Sequence, residues 1–461
     1  MKVKVKNLGA LKQAEFSIGE LTIICGGNNT GKTYATYALF GFLKNWRNLF
    51  SIKIKQPKID ELLTTGVLHL DIQDYLDDAD KIISQGCQKY VGQLSNVFAT
   101  SEDRFVNTSF SVSLDINKIR LFTKYKRNIS ASNSELFSIT KSESSTKLLV
   151  TLLGEKEKVK IPLEMLEYFI SNALKEIIFS QLLPRPFIVS VERTGAAIFR
   201  KELNFARNRL LEEISQPGKK INPMELLLRS HQDYALPVEE NVDFIRELET
   251  VFKKRSFIAD MHPEILKDFA DIIGGEYSVN RNNELHYLPK GKRIKLSMDE
   301  SSSAIRSLLH IGFYLRHEAQ KGDLLIIDEP ELNLHPENQR RVARLFARLI
   351  NSGIQVFITT HSDYIVKELN TLIMLNRDLP HLVRLREEEG YHESELVDYQ
   401  KVKVYIAEES SIKLDGKDRK QKCHTLIAAN IDAEFGVEAR SFDSVIDKMN
   451  KIQEEIVWGA D

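Results

Sequence analysis

Two segments of the sequence carry residue types at spacings that chemistry can use. Gly26-Gly27-Asn28-Asn29-Thr30-Gly31-Lys32-Thr33 fits G-x-x-x-x-G-K-[ST], in which glycines let the backbone curl until its N–H groups point at phosphate oxygens. The apolar run Leu21–Cys25 before it reads as a buried strand. Thr33–Trp46 after it, with Ala38, Leu39, Phe42 and Leu43 at helical spacing, reads as a helix whose N-terminus favours an anion. Gly26, Asn28, Asn29, Thr30, Gly31 and Tyr34 are therefore expected around a bound nucleotide, and Lys32 at its β- and γ-phosphates. The Thr33 hydroxyl is expected on Mg²⁺, which makes ATP with Mg²⁺ the expected ligand pair.

The second segment, Leu324-Leu325-Ile326-Ile327-Asp328-Glu329, is an apolar strand ending in two carboxylates. That arrangement puts Asp328 beside the metal and Glu329 beside an attacking water. Three shorter motifs flank it: Ser301-Ser302-Ser303-Ala304-Ile305-Arg306-Ser307-Leu308, Leu332-Asn333-Leu334-His335-Pro336, and Thr359-Thr360-His361-Ser362. Taken singly, each has a plain reading. The serines also make a helix cap, Asn333 and His335 turn formers, and His361 an ordinary strand end.

These residues need elements to position them. Val3 and Val5 alternate with lysines and Ala14–Ile18 forms a second short run, so strands precede the phosphate loop. From about 50 to 180 the pattern is mixed: a helical, aspartate-rich stretch near Asp71–Asp80, strand-like runs at Phe110–Leu114 and Leu148–Leu153, and a polar tract, Ser130–Lys147, that reads as an exposed hairpin or loop. Phe187–Val191 reads as a strand, 197–270 as mostly helical, and 272–296 as short strands. Ser303–Gln320 (helix), Leu324–Ile327 (strand), Pro336–Ile350 (helix) and Ile354–Thr359 (strand) alternate as a parallel sheet covered on both faces requires. The last stretch, ending in a helix at Ser444–Glu455, reads as a separate lobe. The expected division is 1–50 and 272–370 for the two parts of a head, with 181–196 as its return strand. Residues 51–180 would form an inserted α/β lobe, 197–271 a helical lobe, and 371–461 a C-terminal lobe for partner or oligomer contacts.

Composition narrows the setting. An apolar content of 42% supports proper cores, and 64 Lys plus Arg against 65 Asp plus Glu gives no whole-molecule attraction for membranes or nucleic acid. Cys25, Cys87 and Cys423 are widely spaced, which fits reduced thiols in a cytoplasmic protein better than disulfides or a zinc cluster. The N-terminus lacks the apolar core of a secretory signal, and no run approaches the ~18 apolar residues that span a bilayer.

The order of phosphate loop, serine-headed helix, acidic strand end, turn and histidine resembles that of ABC-class ATPases of the overcoming-lysogenization-defect, RecF and chromosome-maintenance kinds. The wording Asp328-Glu329-Pro330-Glu331-Leu332-Asn333-Leu334-His335-Pro336 is nearest the first. The resemblance implies an α/β, ABC-type P-loop head with a mixed sheet, inserted β and helical lobes and a small C-terminal lobe. It further implies a homo-oligomer with ATP at head–head interfaces. Ser302 and Ser303 of one copy would contact the γ-phosphate held by another, Glu329 would polarise water, His361 would hydrogen-bond the γ-phosphate, and Asn333 and His335 would lie near the seam. Two departures stand out: Ser303-Ala304 replaces the usual glycine, and Glu192 and Arg193 are the only candidates where a metal-supporting glutamine is usual.

The stretch between the nucleotide motifs is too short in heptads for a long-coiled-coil chromosome protein and too long for a compact transporter subunit. The acids of Val402–Glu409 and Asp432-Ala433-Glu434 only loosely echo the nuclease domain of the overcoming-lysogenization-defect proteins. The sequence also resembles the AriA-type and PtuA-type ATPase subunits of the PARIS and Septu anti-phage systems, through its N-terminal strands, its serine-headed helix and its acidic segment. That resemblance implies a separate nuclease effector, toprim-type or alternatively HNH, and a phage trigger protein. The competing reading is a RecF-like DNA-repair ATPase binding DNA through Lys253-Lys254-Arg255 and Lys290–Lys295.

Overall fold

Leu21–Gly26 (β1) is buried along its length up to the final glycine, as a strand covered on both faces must be. The structure, a computed structural model, describes residues 1–119, 123–131, 134–153, 162–198, 234–280, 284–416, 418–438, 449 and 451–456. Its contacts divide into two units. One holds Val5–Gly41, Leu94–Thr108 and Arg185–Asp461, and the other Met1–Lys4, Phe42–Gln93 and Ser109–Pro184.

In the first unit, β1 joins Pro186–Val189 (β2), Leu324–Asp328 (β3), Gln355–Thr360 (β4), Val402–Lys413 (β5) and Lys420–Ala428 (β6) in a six-stranded sheet ordered β6-β5-β1-β4-β3-β2. Neighbours from β5 to β2 run parallel, and β6 runs antiparallel to β5. This is the mixed sheet of the expected α/β head. Asp328 lies opposite Thr359 and Thr360 opposite Cys25, so three central strands end in step at one edge.

Helices cover the sheet. Lys32–Leu49 (α1) follows the phosphate loop. Ser303–Phe313 (α2) passes into a π-helical turn at Tyr314–Glu318, within the expected Ser303–Gln320 helix. Pro336–Ser352 (α3) starts with proline at its first position and stops at the left-handed Gly353, the usual asymmetry of helix ends. Asp363–Met374 (α4) follows β4. Leu308, Leu309, Val342, Phe346, Leu349 and Leu369 pack with Ile23, Leu325, Ile327, Val356 and Ile358 in one apolar core. Helices Leu236–Arg246, Leu248–Val251, Phe257–Met261 and Pro263–Ile273 realise part of the helical stretch expected at 197–270. Residues 199–233 lie outside the described residues. Strands Gly275–Val279, Leu285–Pro289 and Leu296–Ser297 pair antiparallel, as the 272–296 pattern implied.

The second unit contains a four-stranded antiparallel sheet ordered Val67–Asp71, Lys147–Leu152, Ser134–Lys141, Tyr125–Ala131. The polar tract is therefore largely hairpin. An aromatic cluster of Phe42, Trp46, Phe50, Tyr90, Phe110 and Phe179 forms its core, with Phe50–Phe179 and Tyr90–Phe110 centroids 4.8 and 4.9 Å apart.

The region read as a separate terminal lobe behaves differently. β5 pairs with β1 from Val402 opposite Leu21 to Ala407 opposite Gly26, so this strand belongs to the head's own sheet. Its interspersed Lys403, Glu408 and Glu409 made it look peripheral, because a pairing partner at the far end of the chain leaves no local signal. Gly26 records the closeness of the approach: a Cβ there would sit 2.3 Å from the Ala407 carbonyl oxygen. Of the expected helix at Ser444–Glu455, residues 451–456 are helical, while 441–448 and 450 lie outside the described residues.

Val404 is 2% exposed within β5. Val404→Asp would bury an unpaired carboxylate and should destabilise the protein by about 3 kcal/mol or more. It should also remove nucleotide binding, because β5 supports the strand that ends in the phosphate loop. Thermal unfolding and nucleotide titration check this; a separable lobe would leave binding intact.

Candidate nucleotide site

The shared strand edge assembles the site. In an open parallel sheet, ligands sit beyond the carboxyl ends of the strands, and here those ends carry Gly26, Asp328 and Thr360 in adjacent register. After Gly26 (φ 140°) the chain turns through Asn29 (φ 60°) and Gly31 (φ 97°) into α1. The Thr30 hydroxyl donates to the Gly27 carbonyl at 2.9 Å. Gly27, Asn28, Asn29 and Thr33 are exposed, whereas Thr30 and Lys32 are buried.

The Lys32 ammonium folds back over this loop and donates to the carbonyls of Gly26 and Gly27 at 3.0 and 2.7 Å. It also lies 3.4 Å from His361 Nδ1. Burial holds its pKa below the ordinary lysine value, against the opposing pull of Glu329, Asp328 and Glu331. The expectation for Tyr34 needs narrowing. Its ring packs on Phe98 with centroids 5.0 Å apart and fills the space over Gly9 (φ 55°), where a Cβ would come within 2.4 Å of it. What Tyr34 can offer a phosphate is its backbone N–H in the first helical turn.

At the end of β3, Asp328 is almost fully buried. The Thr359 hydroxyl donates to its Oδ1, while Oδ2 has no hydrogen-bond partner. Burial pushes its pKa up to about 6, reinforced by Glu329 and Glu192 and opposed by the hydroxyls of Thr359 and Thr33. A buried carboxylate oxygen without a partner calls for one, and Thr33 is the neighbouring hydroxyl. These two residues could hold a divalent cation. Among the described residues no cluster of three or more His, Cys, Asp or Glu side chains has metal-holding geometry.

Glu329 is left-handed, with φ 53°, a conformation that costs a non-glycine residue about 1–2 kcal/mol. Its N–H donates to the Thr359 carbonyl at 3.1 Å and the Thr359 hydroxyl at 3.2 Å. Its Oε1 lies 2.9 Å from His361 Nε2. An imidazole hydrogen on Nε2 and a lone pair on Nδ1 satisfy both this contact and the one to Lys32. Glu329 is held below the ordinary glutamate range first by the His361 hydrogen bond, against the cost of burial, with Lys32 and Arg193 adding to it. Phosphate loop, strand-end acid and histidine thus form one connected chain, Lys32–His361–Glu329.

Glu331 escaped the sequence reading, and Arg193, expected there as a candidate for the metal-supporting position, makes contacts of another kind. Glu331 accepts the His361 backbone N–H at 2.6 Å through Oε1, and its burial raises its pKa. Its signal was its place in the acidic segment. Arg193 is fully buried and donates only to carbonyls: Nε to Ser307 at 2.9 Å, Nη1 to Ser190 at 2.9 Å and to Asp328 at 2.8 Å, and Nη2 to Glu329 at 2.6 Å. Burial brings its pKa down to about 10, against the charges of Asp328, Glu331, Glu329 and Glu192. Its guanidinium is therefore spent on backbone. Glu192 is exposed and accepts from the Tyr37 hydroxyl at 3.2 Å.

Ser302 and Ser303 are exposed at the head of α2. Ser302 Oγ caps the helix by accepting from Ile305 N at 3.4 Å, and Arg306 shapes the turn by donating to the carbonyls of Met298 and Ser301 at 3.0 and 2.6 Å. Among the described residues neither serine bonds to the phosphate loop of its own chain. Asn333 is left-handed with φ 62°, and His335 caps α3 by accepting from Glu337 N at 3.3 Å, so both shape the turn. The two basic runs converge: Lys253, Lys254, Arg255 and Lys290 line one cavity of about 920 Å³. Three of the four hold carboxylates, in the pairs Lys254–Glu318, Arg255–Asp260 and Lys290–Asp271.

A phosphate loop at a strand end, an acid pair ending a strand of the same parallel sheet, and a histidine closing the strand between them define a P-loop ATPase of the ABC-like class. The chain belongs to the AAA ATPase domain family, which it matches over residues 1–366. No curated protein matches it. Solved structures similar to it include an Smc head bound to the C-winged-helix domain of ScpA (12% identity over 93% of this chain and 97% of that one, TM-score 0.34). Another is a Pyrococcus furiosus Smc head with an extended coiled coil, bound to the C-terminal domain of ScpA (14%, 99% and 98%, 0.31). A third is the SMC head domain from Thermotoga maritima (10%, 93% and 98%, 0.30). Likeness at these scores bears no weight, and the class rests on the sheet, the site and the family match. Among the described residues no helix is long and apolar enough to cross a membrane.

Lys32→Ala should abolish ATP binding in a nucleotide titration, since among the described residues no other ammonium donates to the loop carbonyls. A cation on Asp328 competes with a proton whose pKa is about 6. The Mg²⁺-dependent part of nucleotide affinity should therefore be constant above that pH and fall about tenfold per unit below it. Asp328→Asn should flatten the profile; titrations with and without Mg²⁺ from pH 5 to 8 measure both effects.

Proposed function

We propose that the chain hydrolyses ATP when two heads clamp nucleotide between them, and that it serves as the sensor and scaffold subunit of a two-component anti-phage system. The observation that carries the catalytic part is the Lys32–His361–Glu329 chain set beside the unpartnered Oδ2 of Asp328. The loop N–H groups and Lys32 bind the phosphates. Thr33 and Asp328 would hold Mg²⁺, which when bound neutralises charge on the γ-phosphate. Glu329 then orients the attacking water and accepts its proton. His361 keeps the Glu329 carboxylate aimed and donates to the γ-phosphate if it swings from that contact. Ser302 and Ser303 stand exposed on a capped helix N-terminus, and that suits them to a phosphate held by another copy.

The wider role rests on the resemblance to anti-phage ATPase subunits. In this reading the homo-oligomer holds a separate nuclease, toprim-type or alternatively HNH, and releases or activates it when a phage trigger protein arrives. The membership of β5 in the head sheet, with Glu408 and Glu409 paired opposite Thr425 and His424 of β6, favours this over a degenerate nuclease domain of the overcoming-lysogenization-defect kind. A RecF-like repair role has one observation in its favour, the convergence of two basic runs on a single cavity, although most of those cations are already paired. Copurification of a nuclease encoded by an adjacent gene supports defence; ATPase activity stimulated by DNA without any partner would overturn it.

Glu329→Gln should bind ATP with unchanged affinity, lose hydrolysis, and accumulate a nucleotide-clamped dimer by light scattering. Normal turnover would remove Glu329 as the base. Lys32→Ala and Ser303→Arg should each be inactive alone. Mixed together they should regain activity, because one composite site then combines an intact loop with an intact serine helix. No recovery would show that the serines do not act across copies.

A further inference from the structure

We infer that Arg193 is a positioning residue that ties the backbone of Glu329 to the serine-headed helix α2 of the same chain, so that engagement of α2 by a second copy sets the aim of the catalytic carboxylate. The inference rests on the reading of Glu329 and α2 given above.

Arg193 binds four carbonyls belonging to three elements: Ser190 after β2, Ser307 within α2, and Asp328 and Glu329 at the end of β3. A packing role would be filled by an apolar side chain without the cost of burying a guanidinium. A guanidinium offers several donors in a fixed planar fork, and here the fork spans the seam between α2 and the catalytic strand end. The residue it grips is also the strained one. Both peptide planes of left-handed Glu329 are fixed, the preceding N–H by Thr359 and the following carbonyl by Arg193. With the backbone pinned on both sides, the carboxylate is presented to His361 at 2.9 Å.

The link to α2 is short. Nε reaches Ser307 and Nη2 reaches Glu329 from one rigid group, and Ser307 lies little more than one helical turn from Ser303. A shift of α2 as it meets a second copy therefore moves the carbonyl that Arg193 holds, and through the fork the one at Glu329. A second tie between α2 and β2 makes a natural comparator. Asn241 donates to the Ile188 carbonyl at 2.6 Å, accepts from Ser190 N at 2.8 Å, and bonds His310 of α2 through its own carbonyl at 3.1 Å. That tie does not touch residues 328 or 329.

The test is Arg193→Lys in the full chain, with ATP affinity, ATP-driven pairing and turnover measured separately. A lysine keeps the charge but cannot span four carbonyls. The expected result is ATP affinity and pairing within about threefold of wild type, KM little changed, and kcat lower by about thirtyfold or more, the pattern of a lost transition-state contact. Asn241→Ser should lower the melting temperature while leaving kcat within about threefold. Arg193→Gln, which keeps amide donors without charge, should repeat the Arg193→Lys pattern. Unchanged kcat in Arg193→Lys would overturn the inference. So would parallel losses of affinity, pairing and kcat, or failure of both variants to fold, since each marks the arginine as merely structural. If Glu329→Gln turns over ATP normally, the underlying reading fails. If that variant is inactive while Arg193→Lys is not, only the coupling fails.

Discussion

The structure depends on the in-step parallel pairing of β1, β4 and β3. Because Cys25, Thr360, Thr359 and Asp328 occupy matched positions, the residue following each strand emerges at the same edge, and three remote parts of the sequence meet without any long loop folding over to join them. A one-residue slip of β4 would reverse the faces of its side chains and carry Thr359 away from Asp328. Each strand is buried on both sides, so the apolar core enforces the register. The chemistry is thus positioned by packing first and by polar contacts second.

Those polar contacts then refine what packing provides. Thr359 serves Asp328 with its hydroxyl and receives the Glu329 N–H on its carbonyl. His361 is anchored through its backbone by Glu331 and through its ring by Glu329 and Lys32. Removing one member takes a partner from a buried or half-buried neighbour, which is why a network of this kind behaves as a unit.

Much of this was legible in the sequence, and the parts that were not share a cause. The phosphate loop and the acidic strand end are local patterns, in which residue type and spacing already encode turn, strand and helix. The membership of β5 in the head sheet is non-local, and its charged residues disguised it. Arg193 acts on carbonyls, which every residue possesses, so its targets leave no mark in sequence. Tyr34 was expected at the nucleotide because it follows the loop, yet the missing Cβ of Gly9 gives its ring a place to pack. The left-handed backbone of Glu329 was invisible for the opposite reason: that conformation is normally signalled by glycine or asparagine, and here tertiary bonds impose it.

Electrostatics links the site to its ligand. Among the described residues, Asp328, Glu329 and Glu331 act on two buried cations, Lys32 and Arg193, and Arg193 is turned toward carbonyls. Lys32 is left to face the phosphates. A bare triphosphate would add negative charge to a region already short of positive charge, in surroundings where burial strengthens every such interaction. Asp328 shows the strain from the protein's side: burial first, then the charges of Glu329 and Glu192, raise its pKa, and one of its oxygens lacks a partner. A divalent cation, which Thr33 and Asp328 would hold, would relieve both at once by supplying positive charge beside the phosphates and the unpartnered carboxylate. Nucleotide and metal are therefore expected to bind as one unit, each weakened by the absence of the other.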